Sequence, residues 1–178
     1  MTNLGDVERQ TIAGATSTGT HGTGLAFGGI STQIVGATIV TGSGEIVTVT
    51  ADDADMQAVA LGLGALGVVV ELTIDCVDEF RLHAVEGPET ADAAIAAFQE
   101  RVATTDHHEF YLFPHTNCAL VKTNTRVGPD ALVTGPSRVK RYIDDELLSN
   151  GFFGALCAVG ARVPAIVPAI SQVSARAL

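Results

Sequence analysis

The sequence predicts an α+β protein with mixed sheets. Three observations lead there: β-branched runs of strand length, two capped helical stretches between them, and an order of hairpin, helix, strand, helix, strands, helices rather than a regular βαβ alternation. Residues 10–30 are dense in Gly, Thr and Ser and read as loop. Thr32–Val40 is β-branched and apolar, Glu45–Thr50 alternates with period two, and Thr41-Gly42-Ser43-Gly44 joins them, so the pair reads as a β-hairpin. Asp52, Asp53 and Asp55 supply cap and first-turn carboxylates for a helix through Met56, Val59 and Leu63. Gly67–Val77 has the length and branching of a strand, with Phe80–Val85 as its continuation. Thr90 caps a second helix, Ala91–Val102, whose apolar face is drawn from Ala93, Ile95, Ala96, Ala97 and Phe98. Strands return in EFYLFPH from Glu109 and in CALVKTNTRV from Cys118, and the pattern turns helical after Pro136. Composition shifts at residues 86–90, from Gly/Thr/Val-rich to richer in Ala, aromatics and charge, which puts a boundary between residues 1–87 and 88–178.

Composition excludes several function classes. Hydrophobic residues make up 47% of the 178 and charged residues 17%, enough for a packed core. Ten Lys and Arg against twenty Asp and Glu give a net charge of −10, with no basic stripe to neutralise a phosphate backbone, so nucleic acid is not an expected partner. Cys76, Cys118 and Cys157 are far apart and odd in number, which suits a reducing compartment, and none has zinc-site spacing. With no basic or apolar leader at Met1–Asp6, the expected location is cytoplasmic. Phe152–Ile170 is apolar but broken by Arg162, Pro164 and Pro168; it reads as a buried or substrate-domain helix, with a membrane-surface contact as the alternative, and not as a transmembrane span.

Two glycine patterns compete for chemistry. Gly62-Leu-Gly-Ala-Leu-Gly67 satisfies GxGxxG, but a dinucleotide fingerprint needs a strand before it and a helix after it. Here a helix enters and a strand leaves, so these glycines end a helix, with Gly64 or Gly67 near a left-handed cap and a close backbone approach. The other pattern, GATSTGTHGTG from Gly14 to Gly24, holds four glycines and five hydroxyl side chains in eleven residues. Such a chain can turn tightly and present N–H and O–H donors to phosphate or a flavin edge; without GK[ST] it is not a nucleoside-triphosphate loop. A plain surface loop remains the other reading of the same composition.

Three blocks carry a family resemblance: LGDVERQTIAGATSTGTHGTG (Leu4–Gly24), ALGLGALGVVVELTIDC (Ala60–Cys76) and EFYLFPHTNCALVKTNTR (Glu109–Arg126). Together they resemble the gulonolactone, arabinonolactone and alditol oxidases of the vanillyl-alcohol-oxidase superfamily. The resemblance implies the later part of a two-subdomain FAD-binding domain, then the start of an α+β lactone-oxidase substrate domain. It implies FAD as cofactor, a sugar lactone or polyol as substrate, and oxygen or a protein as electron acceptor. By resemblance Ala15, Ser17, Gly19, Thr20, Gly22, Thr23 and Gly24 match the loop along flavin and diphosphate, and Thr20 a position near the flavin ring where side-chain size influences oxygen access. Gly67 and Val69 match the turn approaching the adenosine side. His21 reads as a ligand or, preferentially, as a buried hydrogen-bonding residue.

The chain departs from the family pattern at both ends. No GxGHS-like segment precedes Leu4, and no HWGK-like segment follows, there being no Trp at all. The expectation is therefore an internal piece of a longer enzyme, with no catalytic residue assignable; a non-catalytic flavin-binding remnant is the alternative. His107, His108 and His115 lack metal spacing, Asp144-Asp145-Glu146 reads as a solvated helix face, and Lys122 and Arg126 as surface strand charges rather than lactone contacts.

Overall fold

The computed structural model describes residues 1–7, 9–132, 135, 137 and 151–176. The chain divides into two compact units, residues 1–79 and 80–178. The boundary expected at 87/88 falls inside a strand, Arg81–Thr90, that is paired along its whole length, so pairing and not composition sets the division. Asp144-Asp145-Glu146, and the first part of the helical stretch expected after Pro136, lie outside the described residues.

The first unit begins with an element that residues 10–30 were not expected to hold. Helix α1, Ile12–Ser17, is capped by Thr11, whose hydroxyl accepts from the Gly14 amide at 3.3 Å. A 3-10 turn, Ile30–Gln33, follows and leads into β1, Ile34–Val40. The hairpin stands as expected: β1 pairs antiparallel with β2, Ile46–Thr50, and Gly44 closes the turn at φ 83°. Helix α2 is only Met56–Ala60, stopping short of Leu63. Asp55 occupies its cap position without a side-chain bond, while Asp53 turns back to accept from the Thr50 amide (2.7 Å) and hydroxyl (3.0 Å). The aspartates expected to start the helix thus partly serve to end the hairpin. Strand β3, Val68–Ile74, completes the sheet in the order β2-β1-β3. Ala37, Ile39 and Val49 face Met56, Val59 and Ala60 of α2, with Ile34 almost wholly buried beside them. Burial of side chains this size stabilises by roughly 1.5–3 kcal/mol each, so this face anchors the unit.

The second unit is built on β4 (Arg81–Thr90), β5 (His107–Leu112) and β6 (Cys118–Val127), in the order β4-β6-β5. Residues 81–85 therefore open a separate sheet instead of continuing β3. Every pairing among the described residues is antiparallel, so the sheets are not mixed. Helix α3, Ala91–Thr104, is capped by Thr90 as expected, its hydroxyl accepting from the Ala93 amide at 3.3 Å. Its packed face is the expected one only in part, at Ala97 and Phe98. Ala94 is fully buried against Ala119 and Val121, Phe98 meets Phe110 edge-on at 5.6 Å, and Ile95 is exposed. Helices α4, Phe153–Arg162, and α5, Val167–Arg176, follow. The stretch is helical, but Phe152, Phe153, Val159 and Val163 are exposed, so of the two forms expected the buried one is not seen. No helix among the described residues is long and apolar enough to cross a membrane.

Candidate functional site

The two glycine patterns, Gly14–Gly24 and Gly62–Gly67, are distant in sequence but meet in the first unit. The Leu63 amide donates to the Ser17 carbonyl at 3.1 Å, and the Cβ position of Gly19 lies 3.1 Å from Leu61 Cδ1. The turn after α2 takes the left-handed form its sequence indicates, with Leu63 at φ 52° and Gly64 at φ 75°. At Gly67 the chain passes so close to β1 that an added Cβ would sit 2.3 Å from the Val40 carbonyl oxygen. The close approach is thus real, and its neighbour is backbone.

The residues matched by resemblance fall in distinct surroundings. Ala15 is buried on α1, and Ser17 is half-buried at its end. Gly19 turns the chain at φ 72°, and the Thr20 hydroxyl donates to Gln10 Oε1 at 2.9 Å. Gly22 packs against the Asn3–Leu4 backbone, the Thr23 carbonyl accepts from Asn3 Nδ2 at 3.2 Å, and Gly24 stands at φ 112°. Val69 is half-buried and joins the core of the first sheet. Since β3 is an edge strand, part of its backbone faces away from β1. His21 departs from the expectation of burial: it is exposed, and its Nδ1 lies 2.9 Å from the Gly22 carbonyl oxygen.

The donor inventory is narrower than composition implied. Thr16 and Thr18 donate their hydroxyls into carbonyls of α1 itself, at 2.8–3.2 Å. Amides up to Thr20 are likewise spent on the helix and its exit. Beyond it, the amides of His21, Gly22 and Gly24 donate to no group among the described residues. Three unengaged N–H groups on the irregular segment leading into the Leu25–Ala26 turn suit an anionic or carbonyl oxygen.

Residues not foreseen from sequence hold that segment. Gln33, buried ahead of β1, accepts from the Thr2 amide at 2.7 Å and donates to the Asn3 carbonyl at 2.8 Å. Asn3, buried in turn, clamps Thr23 and Gly28 through its side-chain amide. No local pattern marks either residue. Beside them lies a cavity of about 190 Å³, lined by Asn3, Phe27, Gly28, Thr32, Gln33 and Asp75. It is smaller than sites that engulf a cofactor, roughly 300 Å³ and upward, so a large ligand here would lie along the surface turn.

In the second unit, Lys122 pairs across the strands with Glu109 at 3.2 Å, and the Arg126 guanidinium sits 4.2 Å over the Phe80 ring. Both are half-buried and not the surface charges expected. His107 and His108 are both buried, whereas His115 is exposed at φ 64°. Burial and then the Arg101 charge hold the His108 pKa below its ordinary value, against the upward pull of Glu89 and Glu109.

This architecture is similar to that of cholesterol oxidase from Brevibacterium sterolicum. The TM-score is 0.78 over 98% of this chain and 36% of that one, at 21% identity. That defines the fold class. Residues 72–178 match the D-arabinono-1,4-lactone oxidase family, and the chain belongs to that family. It is 34% identical over 172 residues to L-gulono-1,4-lactone dehydrogenase of Mycobacterium tuberculosis, covering 97% of this chain and 39% of that protein. It is 29% identical over 175 residues to D-arabinono-1,4-lactone oxidase of Yarrowia lipolytica, covering 97% and 32%. The chain therefore spans about two fifths or less of the length of these curated relatives. The resemblance read from the three sequence blocks is borne out at the level of family.

Proposed function

We propose that this chain forms part of an FAD-dependent oxidoreductase that oxidises a CH–OH group of a sugar lactone of the gulono- or arabinono-1,4-lactone type, or of a polyol. The observation that carries this reading is the meeting of the Gly14–Gly24 segment with the turn at Gly62–Gly67, in a chain of the D-arabinono-1,4-lactone oxidase family. Residues 1–79 take the flavin-binding role and residues 80–178 begin the substrate domain. The donor set suits FAD: the amides of His21, Gly22 and Gly24 would hold diphosphate or flavin-ring oxygens, and the outward backbone of β3 near Val69 the adenosine side. When bound, FAD supplies the two-electron acceptor, and oxygen or a protein takes the electrons onward. This chain's own part is to fix the cofactor's polar edge with backbone dipoles that need no reorganisation.

The experiment is to titrate FAD into the protein while following flavin absorbance and amide exchange, then to assay dye reduction with gulono-1,4-lactone, arabinono-1,4-lactone and a polyol. Bound FAD is expected to protect the His21–Gly24 amides, and dye reduction to depend on a lactone or polyol. Protection elsewhere with these amides unchanged would overturn the site, and dye reduction indifferent to lactone and polyol would overturn the substrate class.

A further inference from the structure

His108 is used by none of the chemistry above, yet it is only 5% exposed and imperfectly satisfied. Its Nδ1 lies 3.1 Å from the Thr123 hydroxyl on β6, and its ring packs 5.7 Å from that of Phe98 on α3. Its Nε2 is buried with no hydrogen-bond partner, and so is Nη1 of Arg101 on α3. The carboxylate within reach is committed: Glu89 of β4 accepts from Arg101 Nη2 through both oxygens, at 2.9 and 3.0 Å. Of the other titratable groups nearby, His83 of β4 is exposed, Glu109 of β5 pairs with Lys122, and Asp106 accepts from the Arg126 amide.

We propose that His108 is an acid-sensitive latch that fastens α3 to the second sheet. A neutral imidazole fits the site, since Thr123 occupies Nδ1 and the apolar wall of Phe98 tolerates the rest. Adding a proton makes donors of both ring nitrogens, with only Thr123 placed to accept, and puts a cation beside Arg101, whose own carboxylate is already taken. The proton is accommodated when α3 lifts and His108 reaches water. Because the folded pKa is lowered, docking is fully stabilised above the ordinary imidazole value of 6.5. That stabilisation is lost as pH falls from 6.5 toward the folded value, below which nothing further changes.

The test combines proton NMR of the histidine rings with amide exchange of α3 in the whole chain between pH 4.5 and 8 (range of about 3.5 units bracketing the imidazole titration). His108 is expected to titrate below 6.5. The α3 opening constant, corrected for intrinsic exchange, should rise by up to about tenfold per pH unit in that window, one proton's worth. His108→Gln should abolish that slope, and His108→Phe, which keeps the ring packing, should abolish it independently. Arg101→Gln should move the His108 midpoint upward. A midpoint at or above 6.5, or a slope that survives in both His108 variants, would overturn the latch.

Discussion

Replacing Gly67 by Ala isolates what the second glycine motif does before any ligand binds. The backbone stands at φ 144°, a conformation that costs an L side chain roughly 1–3 kcal/mol. The new methyl would meet Val40 O at 2.3 Å and Val40 C at 2.9 Å, backbone atoms that cannot rotate away. Relief requires a shift of about 1 Å to restore an ordinary carbon–oxygen contact near 3.3 Å. Val40 pairs with Val68, the residue next to Gly67, so that shift opens the end of the β1–β3 ladder. Strain of this kind in packed structure costs a further 1–3 kcal/mol or so, giving about 2–6 kcal/mol in all. Gly64→Ala is the matched control: φ is 75°, but nothing lies within 4 Å, so only the left-handed penalty of about 1–2 kcal/mol applies. Urea unfolding followed by circular dichroism should show the Gly67 midpoint lower by about 1–2 M. Lost exchange protection in β1 and β3 should locate the damage in the first unit. Equal midpoints for the two variants, measured without FAD, would refute the argument that Gly67 is demanded by the strand beside it.

Three further outcomes follow from contacts already described. Gln33→Ala removes the side chain that holds Thr2 and Asn3, and should cost about 1–3 kcal/mol in urea unfolding while exposing the Thr2 and Asn3 amides to exchange. Thr90→Ala leaves the Ala93 amide uncapped, and should cost about 1 kcal/mol with faster exchange confined to the first turn of α3. Asp53 has a pKa lowered by its bonds from the Thr50 amide and hydroxyl, so its support of the hairpin is present above the ordinary value of 3.8 and lost as pH falls through the lowered one. Carboxyl NMR should place its midpoint below 3.8, and Asp53→Asn should remove this part of the hairpin's acid sensitivity.

Features governed by neighbours in sequence were legible; those governed by distant partners were not. The β1–β2 hairpin, the Thr90 cap and β6 each follow from a turn, a hydroxyl or an alternating run lying within a few residues. Strand β4 pairs with β6 some 28–46 residues onward, from Thr90↔Cys118 to Arg81↔Val127, which no local pattern shows. Helix α1 was missed because Gly and Thr are weak helix formers; burial of Ala15 and the back-bonded hydroxyls of Thr16 and Thr18 stabilise it instead. Strand alternation sends His107 and His108 to opposite faces of β5, and the burial of both depends on partners distant in sequence.

The candidate site shows why the structural and functional readings of its glycines are not rivals. At Gly22 an added Cβ would strike the Leu4 carbonyl oxygen at 2.2 Å, so chain packing alone requires glycine there. That same packing, fixed by Asn3 and Gln33, pins the segment in which the amides of His21, Gly22 and Gly24 remain unengaged. A loop that folded on itself more loosely would turn those N–H groups to water or to its own carbonyls, as Thr16 and Thr18 turn their hydroxyls. Donors become useful to an anionic cofactor only when the backbone carrying them is held still, because a preorganised dipole costs nothing to orient at the moment of binding. Glycine supplies the close approach, the close approach supplies the rigidity, and the rigidity leaves the donors presented.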